Sequence, residues 1–594
     1  MKKLLPASLL IAAGIGLNAS GGETLNRGVV AVKTDNGVFV SWRSLTADSP
    51  EMTFDVFRDG TKVNASPITQ GTNYIDPDGT ATSSYVIKAY VDKTEVESSN
   101  AVSVAGEGFL RLKLKRPNLG VSPDGSTYTY TPNDCSVGDV DGDGQYEIFV
   151  KWDPSNAKDN SQSGNTGNVY IDCYRLDGTQ LWRVNLGKNI RAGAHYTQYL
   201  VYDFDGDGKA EMVCRTAAGT IDGQGKKVLR NGETGNEDYR YQNGFINDEC
   251  NEYLTVFDGL TGAEITSTDY VPVRKVHYPL TQWGGENSAK ADKPNRPDRF
   301  LATVAYLDGK TPSIVMVRGY YTKAPVVAWN FDGKELKQLW HHASISKTTY
   351  ELTDASGTTR TYTAPNATGK TSNSNTLYNN GNHNLSAGDV DGDGFDEIIH
   401  GACAIDHDGK IMYATGFGHG DAMHLSKLLP DRQGLQVFQV HEDSPYGWDI
   451  HDAATGEVLL SATGGSDNGR GVAADIDPGN RGFEFWSSNQ RTPHSCVTGE
   501  EIGINACSMN FRVYWDGDLY DELLDGTTIT KWDGTKPQVL ESLSNYSNAS
   551  SINGTKSNPN LSGDILGDWR EEVILYDGSN SSDLLIFTST IPTH

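Results

Sequence analysis

A nine-residue pattern, Asp-x-Asp-x-Asp-Gly-x-x-Glu, recurs as Asp139-Val-Asp141-Gly-Asp143-Gly-Gln-Tyr-Glu147, Asp203-Phe-Asp205-Gly-Asp207-Gly-Lys-Ala-Glu211 and Asp389-Val-Asp391-Gly-Asp393-Gly-Phe-Asp-Glu397. Each copy leads into an apolar strand. A unit that returns in this way restricts the chain to a repeat architecture, because each unit buries its apolar face only against a neighbour. Looser copies begin at Asp475-Ile-Asp477, with Glu484, at Asp516-Gly-Asp518, and at Asp564-Ile-Leu-Gly-Asp568, with Glu572. Weak versions near Val304-Ala-Tyr-Leu-Asp-Gly309 and Gln436-Val-Phe-Gln-Val440 bring the total to eight units. A second hairpin follows within most units, as in Tyr174-Arg-Leu-Asp-Gly-Thr-Gln-Leu-Trp182 and Trp532-Asp-Gly534. Two hairpins per unit, at a spacing of roughly 40–60 residues, predict an all-β chain whose main body is an eight-bladed β-propeller over 109–594. Long insertions are expected at 220–300 and 343–384. The tripeptide Gly369-Lys-Thr371 in the second insertion lacks the upstream Gly of a phosphate-binding loop.

Ahead of the repeats, residues 22–108 alternate apolar with polar residues in Gly37-Val-Phe-Val-Ser-Trp42, Met52-Thr-Phe-Asp-Val-Phe-Arg-Asp59 and Ser84-Tyr-Val-Ile-Lys-Ala-Tyr-Val91. This pattern predicts a small β-sandwich resembling a fibronectin type III module. Residues 1–21 read as a signal peptide: Lys2 and Lys3, an apolar stretch too short to span a bilayer, then small residues. The mature chain is therefore expected in a bacterial periplasm or outside the cell, with no membrane span. Seven cysteines without C-x-x-C spacing argue against zinc and dithiol chemistry, and leave room for one or two disulfides.

The acid pattern sets hard oxygen ligands on alternate positions of a tight Gly-permitted turn, which suits Ca²⁺. Several near-identical sites cannot all be an active site, so these ions are expected to tie the blade loops. A second cluster, His383, His419, Asp421, His424, His441 and Glu442, combines nitrogen and oxygen donors suited to metal binding or proton transfer. Asn553-Gly-Thr-Lys556 and Gly469-Arg-Gly471 are unremarkable taken alone: one is a turn, the other a guanidinium able to hold a carboxylate. The 77 Asp and Glu residues outnumber the 50 Lys and Arg, and the net charge of −27 excludes a nucleic-acid binder, which needs a basic face.

Longer runs carry a resemblance. Asn133-Asp-Cys-Ser-Val-Gly-Asp-Val-Asp-Gly-Asp-Gly144, Asn189-Ile-Arg-Ala-Gly-Ala-His-Tyr-Thr-Gln198, Arg318-Gly-Tyr-Tyr-Thr322, Gly418-His-Gly-Asp-Ala-Met-His424, Gly469-Arg-Gly-Val-Ala-Ala-Asp-Ile-Asp-Pro478 and Asn553-Gly-Thr-Lys556 closely resemble bacterial rhamnogalacturonan lyases of the eight-bladed, family-eleven type. The resemblance implies β-elimination on rhamnogalacturonan I, the pectin backbone of alternating rhamnose and galacturonate, endo in preference to exo. It implies Lys556 and Arg470 as the catalytic pair, in either assignment of base and charge stabiliser. Asn133, Asp153, Asn553, Gly554 and Thr555 are implied as sugar contacts, and His383, His419, Asp421 and Glu442 as a calcium site near the cleft. The structural calcium ligands implied are Asp139, Asp141, Asp143 and Glu147; Asp203, Asp205, Asp207 and Glu211; Asp389, Asp391, Asp393 and Glu397; Asp475, Asp477 and Glu484; and Asp564, Asp568 and Glu572.

The sequence departs from the family after His424, where Leu425-Ser-Lys-Leu-Leu-Pro430 replaces an acidic loop, and at Lys323, where Arg is common. It also stops at Thr593-His594, where relatives continue with a further strand, so either the propeller is C-terminally truncated or its ring closes differently. A monomer is expected. The alternatives are a calcium-stabilised propeller that only binds carbohydrate or a protein partner, and a hydrolase using paired carboxylates.

Overall fold

The computed structural model describes residues 24–230, 232–274, 296–321, 323–344, 349–353, 359–363, 366–367, 377–443, 446–579 and 582–593. The expected signal peptide, Gly369-Lys-Thr371 and much of the second insertion lie outside the described residues. Apart from short 3-10 turns, the regular structure of the described residues is almost all strand.

The alternating residues of the N-terminal segment form a sandwich. A three-stranded sheet (Val30–Thr34, Gly37–Ser41, Asn73–Asp76) faces a five-stranded one built on Thr53–Arg58 and Ser84–Val91. Val38, Val40 and Trp42 of one face pack on Phe54, Val56 and Ile87 of the other. Burial alternates along Ser84–Val91 as a strand with one wet face requires.

Among the described residues eight sheets follow in chain order, antiparallel save for the pairing of Asn366–Ala367 with Ile411–Ala414 in the fourth. The first shows the plan: Tyr130–Gly138, Glu147–Pro154, Tyr170–Tyr174 and Gln180–Asn185, each paired to the next. Their apolar residues do not form one core. Among the described residues they form a cluster between each sheet and its successor. The series returns on itself, because Ile574, Leu584 and Ile586 of the eighth sheet pack on Ile148, Val150 and Trp152 of the first. That circular order makes the sheets the blades of a propeller. The eighth blade takes its outermost strand from the start of the segment, Leu110–Lys113 pairing with Asp583–Phe587. An edge that would otherwise be open is thereby covered.

The recurring Trp residues link neighbours. Trp182 Nε1 donates to Gly259 O of blade 2 at 2.7 Å, Trp340 Nε1 to His407 O of blade 4 at 2.9 Å, and Trp486 Nε1 to Ser508 O of blade 7 at 2.7 Å. All seven cysteines are free thiols buried in this core, so the expectation of disulfides is not met. The sandwich is seated on blades 8 and 1, with Val30 and Val32 inside their shared cluster. Gly567, at φ +70, donates its N–H to the Gly28 carbonyl at 2.7 Å, and a Cβ there would meet Ser41 Oγ at 2.5 Å.

Innermost strands all run the same way. In the second blade the residue entering the strand faces the central cavity and the residue leaving it opens the acid loop, as Gln198 and Asp203 do around Tyr199–Tyr202, and the other blades with an acid loop place it at the same end.

Candidate active site and cation sites

A cavity of about 470 Å³ opens where the innermost strands begin. It brings together Lys556, Arg470 and Asn553 with Asp134, His195, His383 and Asp421. Asp153 does not line it; that carboxylate lies buried beside Lys151, and burial raises its pKa despite the ammonium.

Backbone geometry builds the turn that carries Lys556. Ile552 and Asn558 exchange main-chain hydrogen bonds of 2.8 and 3.1 Å and pinch off the five residues between them. Asn553 (φ 59), Gly554 (φ 58) and Ser557 (φ 52) all sit in the left-handed region, which Gly and Asn tolerate best. A Cβ on Gly554 would meet nothing within 4 Å, so the backbone angle is what calls for glycine there. Lys556 is exposed at the end of this turn. Arg470 ties it to blade 7, donating to Thr555 O at 2.6 Å and Asn510 Oδ1 at 3.0 Å. Asn133 donates to Asn553 Oδ1 at 3.4 Å from a bulge between Pro132 and Cys135, which interrupts the first strand at the cleft rim.

The cleft carries local positive charge. Burial, then Arg299, then Lys556 and Lys151 push His195 down to about 4 despite Asp159, so its imidazole is neutral near pH 7. His195 Nδ1 lies 3.1 Å from the Tyr320 hydroxyl, which also accepts from Arg299 at 3.3 Å. Arg299 and His195 were absent from the sequence-derived site. His195 stands inside the run from Asn189 to Gln198 and was open to notice there; Arg299 follows an insertion and carries no pattern.

His383, His419, Asp421 and Glu442 converge, one ligand atom from each lying within 4.8 Å of the others. His419 Nδ1 meets the carbonyls of Tyr320 and Gly381, both at 2.8 Å, which fixes the proton on that nitrogen. Its buried Nε2 has no hydrogen-bond partner and faces Glu442 at 3.2 Å and Asp421 at 3.7 Å. Burial would lower this imidazole's pKa, but the two carboxylates outweigh it and raise it. An orphaned nitrogen aimed at two carboxylates, its other nitrogen bonded to main chain, is the arrangement of a metal ligand. The residues fit a divalent cation. His424, stacked on Phe438, and His441, stacked on Phe417, stand apart from this group.

The acid loops divide into two kinds. In all six, the closing Glu turns back to accept a main-chain N–H of its own loop, as Glu147 does from Val140 at 3.0 Å. In blades 1, 2 and 4, Asp139, Asp141 and Glu147, then Asp203, Asp205 and Glu211, then Asp389, Asp391 and Glu397 offer oxygens within 4.8 Å of one another. Asp141 Oδ1 and Glu397 Oε1 are buried without a partner, so the loops of blades 1 and 4 fit a cation, although Arg175 already bonds the other oxygen of Asp141. The third acids, Asp143, Asp207 and Asp393, each accept an N–H two residues on, at 2.8–2.9 Å. In blades 6 to 8 a side chain stands at the loop. The Asn480 amide bonds Glu484, while Asp477 accepts from Gly479 N and Asp475 N donates to Asp521. The Lys531 ammonium bonds Asp516, Asp518 (2.7 Å) and Glu522 (3.0 Å). Arg570 takes Asp568 in a two-bond fork of 2.9 and 2.8 Å, beside Glu572, and Asp564 is exposed.

Comparison with known proteins decides the family. Residues 109–594 match the model of the rhamnogalacturonan lyase family 11 C-terminal domain, and residues 21–105 that of the rhamnogalacturonan I lyase beta-sheet domain. The chain belongs to rhamnogalacturonan lyase family 11. Among family members, it is 50% identical over 574 residues to rhamnogalacturonan endolyase YesW of Bacillus subtilis (strain 168), covering 96% of this chain and 85% of that one. Against rhamnogalacturonan exolyase YesX of the same organism it is 46% identical over 590 residues, covering 96% and 89%. The crystal structure of YesW superposes with a TM-score of 0.86 at 48% identity, covering 97% of this chain and 92% of that one. The Bacillus licheniformis family-11 lyase superposes at 0.85 with 49% identity, covering 97% and 91%.

Proposed function

We propose that this family-11 protein is a rhamnogalacturonan endolyase that breaks the rhamnogalacturonan I backbone by β-elimination at galacturonate. The observation that carries this is the meeting of Lys556, Arg470 and Asn553 beside the His383–His419–Asp421–Glu442 group in one cavity. The identity to an endolyase supports internal cleavage.

The proton α to a uronate carboxylate is a weak acid while that carboxylate keeps its charge. Arg470, braced through Thr555 and Asn510, holds a guanidinium where it neutralises the carboxylate and the enolate-like charge that develops as the proton leaves. Lys556 is the base that takes the proton, or exchanges this role with Arg470. As the C–H bond breaks, its electron pair forms the new double bond and expels the rhamnose-side oxygen, which water protonates. Asn133, Asn553, Gly554 and Thr555 orient the sugar, with Asp153 as a further contact. His383, His419, Asp421 and Glu442 would hold Ca²⁺, which adds positive charge near the carboxylate. Calcium in the loops of blades 1, 2 and 4 fastens the scaffold. We also place a signal peptide at 1–21 and the monomeric enzyme outside the cytoplasm. No helix among the described residues is long and apolar enough to cross a membrane.

The test is product absorbance in the ultraviolet from rhamnogalacturonan I, which reports the unsaturated uronide and separates elimination from hydrolysis. Lys556→Ala should lose about 10³-fold in kcat with circular dichroism unchanged. Full activity in that variant overturns the assignment.

A further inference from the structure

A second cavity, of about 320 Å³, opens at the junction of blades 6 and 7. Gly447 and Trp448 begin the third strand of blade 6 there, and Gly464 to Ser466 lie just beyond its outermost strand, Val458–Ala462. Asn489 and Gln490 turn into the third strand of blade 7 and form the other wall. The segment that leaves this cavity continues to Gly469 and Arg470, which line the cleft, so both openings lie on one face of the propeller. The five steps from Gly465 to Arg470 span at most about 18 Å.

One buried side chain fixes both walls. Asn468, fully buried, donates from Nδ2 to Gly447 O and Ser487 Oγ, each at 3.0 Å. Its Oδ1 accepts from Ser488 Oγ at 2.7 Å and from Asn489 N at 3.1 Å. Ser488 N then donates to Arg470 O at 2.9 Å, which ties the cavity to the guanidinium of the cleft.

The lining suits an uncharged sugar. None of the lining residues carries a charge. Trp448 Nε1 donates to Gln490 Oε1 at 3.0 Å, and because an indole only donates, it fixes the amide with its NH₂ end left to bond a ligand hydroxyl. Gly464 is demanded by packing, since a Cβ would meet Asn489 Nδ2 at 2.8 Å. Gly465 is not: its φ lies outside the left-handed region, and a Cβ there would meet nothing within 4 Å. Nothing in the protein calls for glycine at 465, whereas a ligand seated against the main chain would.

We infer that this cavity is a remote subsite for a rhamnose of the same backbone whose galacturonate lies in the cleft; this rests on the function proposed above. In an alternating backbone rhamnose is the uncharged residue. Its methyl group suits Trp448 and its hydroxyls the Gln490 amide. A galacturonate would meet no cation in this lining, with Asp467 exposed next to it in sequence.

Gly465→Tyr fills the cavity from an unstrained position. On rhamnogalacturonan I freed of side chains it should raise KM about tenfold with kcat unchanged, the mark of lost uniform binding. On an oligosaccharide too short to leave the cleft it should match the parent. Gln490→Glu keeps the acceptor for Trp448 but removes the donor, and should raise KM for the polymer at least about threefold. Thermal melts check that both variants are folded. Titration of the debranched polymer into Lys556→Ala, with and without Gly465→Tyr, reads the subsite without turnover and should show the same tenfold loss. A parent that released no unsaturated product would end the endolyase assignment, while this titration would still decide the subsite. Equal affinity with and without Gly465→Tyr overturns the inference, as does an equal KM increase on the short oligosaccharide. A loss confined to polymer that keeps its side chains also overturns it, in favour of a neutral side-chain sugar.

Discussion

Replacing Lys531 by Met tests whether a side chain does the work of an ion in blade 7. Its ammonium reaches Asp516, Asp518 and Glu522, the positions that correspond to Asp141, Asp143 and Glu147 of blade 1. Glu522 is fully buried, and burial keeps its carboxyl raised to about 6 even with the ammonium beside it. Met fills similar space without charge, so the variant leaves a buried carboxylate unpaired next to two others. Breaking a buried pair costs about 3–5 kcal/mol. Asp518 is half-exposed and adds little, so about 3 kcal/mol is expected. In chelator, Lys531→Met should unfold at lower denaturant than the parent, and amides of Phe511–Val513 and Thr528–Trp532 should exchange faster. Calcium should restore most of the loss, because an ion at 100 times its Kd adds about 2.7 kcal/mol. The parent's blade 7 should not respond to calcium. An unchanged midpoint in chelator, or a loss that calcium leaves uncorrected, refutes the reasoning.

Two further expectations follow from the site and the loops. Burial, with the neighbouring acids adding to it, raises Glu147 from 4.5 to about 7, and Glu211 and Glu397 to about 8. Between pH 4.5 and 8 the folded, metal-stripped chain therefore holds more protons than the unfolded one. Its stability is fullest below pH 4.5 and is lost as pH rises through 7 and 8. Thermal melts in chelator should be lower at pH 8.5 than at pH 5.5, and calcium should remove the difference; a stripped chain that melts higher at pH 8.5 contradicts this. Arg470→Ala should cost about 10²–10³ in kcat, and Arg470→Lys should recover little, because an ammonium cannot span Thr555 O and Asn510 Oδ1. Steady-state absorbance kinetics decide it, near-parental activity in Arg470→Lys being the contrary result.

The propeller was legible because its signal is local and repeated: an acid turn, an apolar strand, an Asp-Gly hairpin and a Trp, each unit consistent with the next. The function was legible through long motif runs such as Gly418–His424 and Asn553–Lys556. What spacing could not reveal is which loops hold a cation of their own. Lys531 lies nine residues beyond Glu522, and only strand pairing returns it to the acids. Arg570 falls inside the blade-8 motif itself, but a guanidinium there reads equally as a solvated side chain until its fork onto Asp568 is seen. The disulfide expectation failed for a similar reason. Cys135, Cys403, Cys496 and Cys507 each lie in a different inter-blade cluster, and Cys173, Cys214 and Cys250 share the one between blades 1 and 2 as free thiols.

Strand direction reconciles a net charge of −27 with a polyanionic substrate. In the blades that carry an acid turn the innermost strand enters from the cleft and leaves into that turn: Asp134 and Asp139 lie along one, Asn384 and Asp389 bracket another, Asn558 and Asp564 a third. Four or five residues at about 3.3 Å each put some 13–17 Å between the two faces. That exceeds the screening length of about 8 Å at physiological salt. A galacturonate in the cleft therefore meets Lys556 and Arg470 at close range, beside Asp134 and Asp421, and feels little of the acid loops that dominate the composition. The proximity in sequence that makes Asn133 and Asp139 look like one site is what separates them in space. A short strand lies between cleft and acid loop, and it keeps most carboxylates of a strongly acidic chain away from the cleft's Lys556 and Arg470.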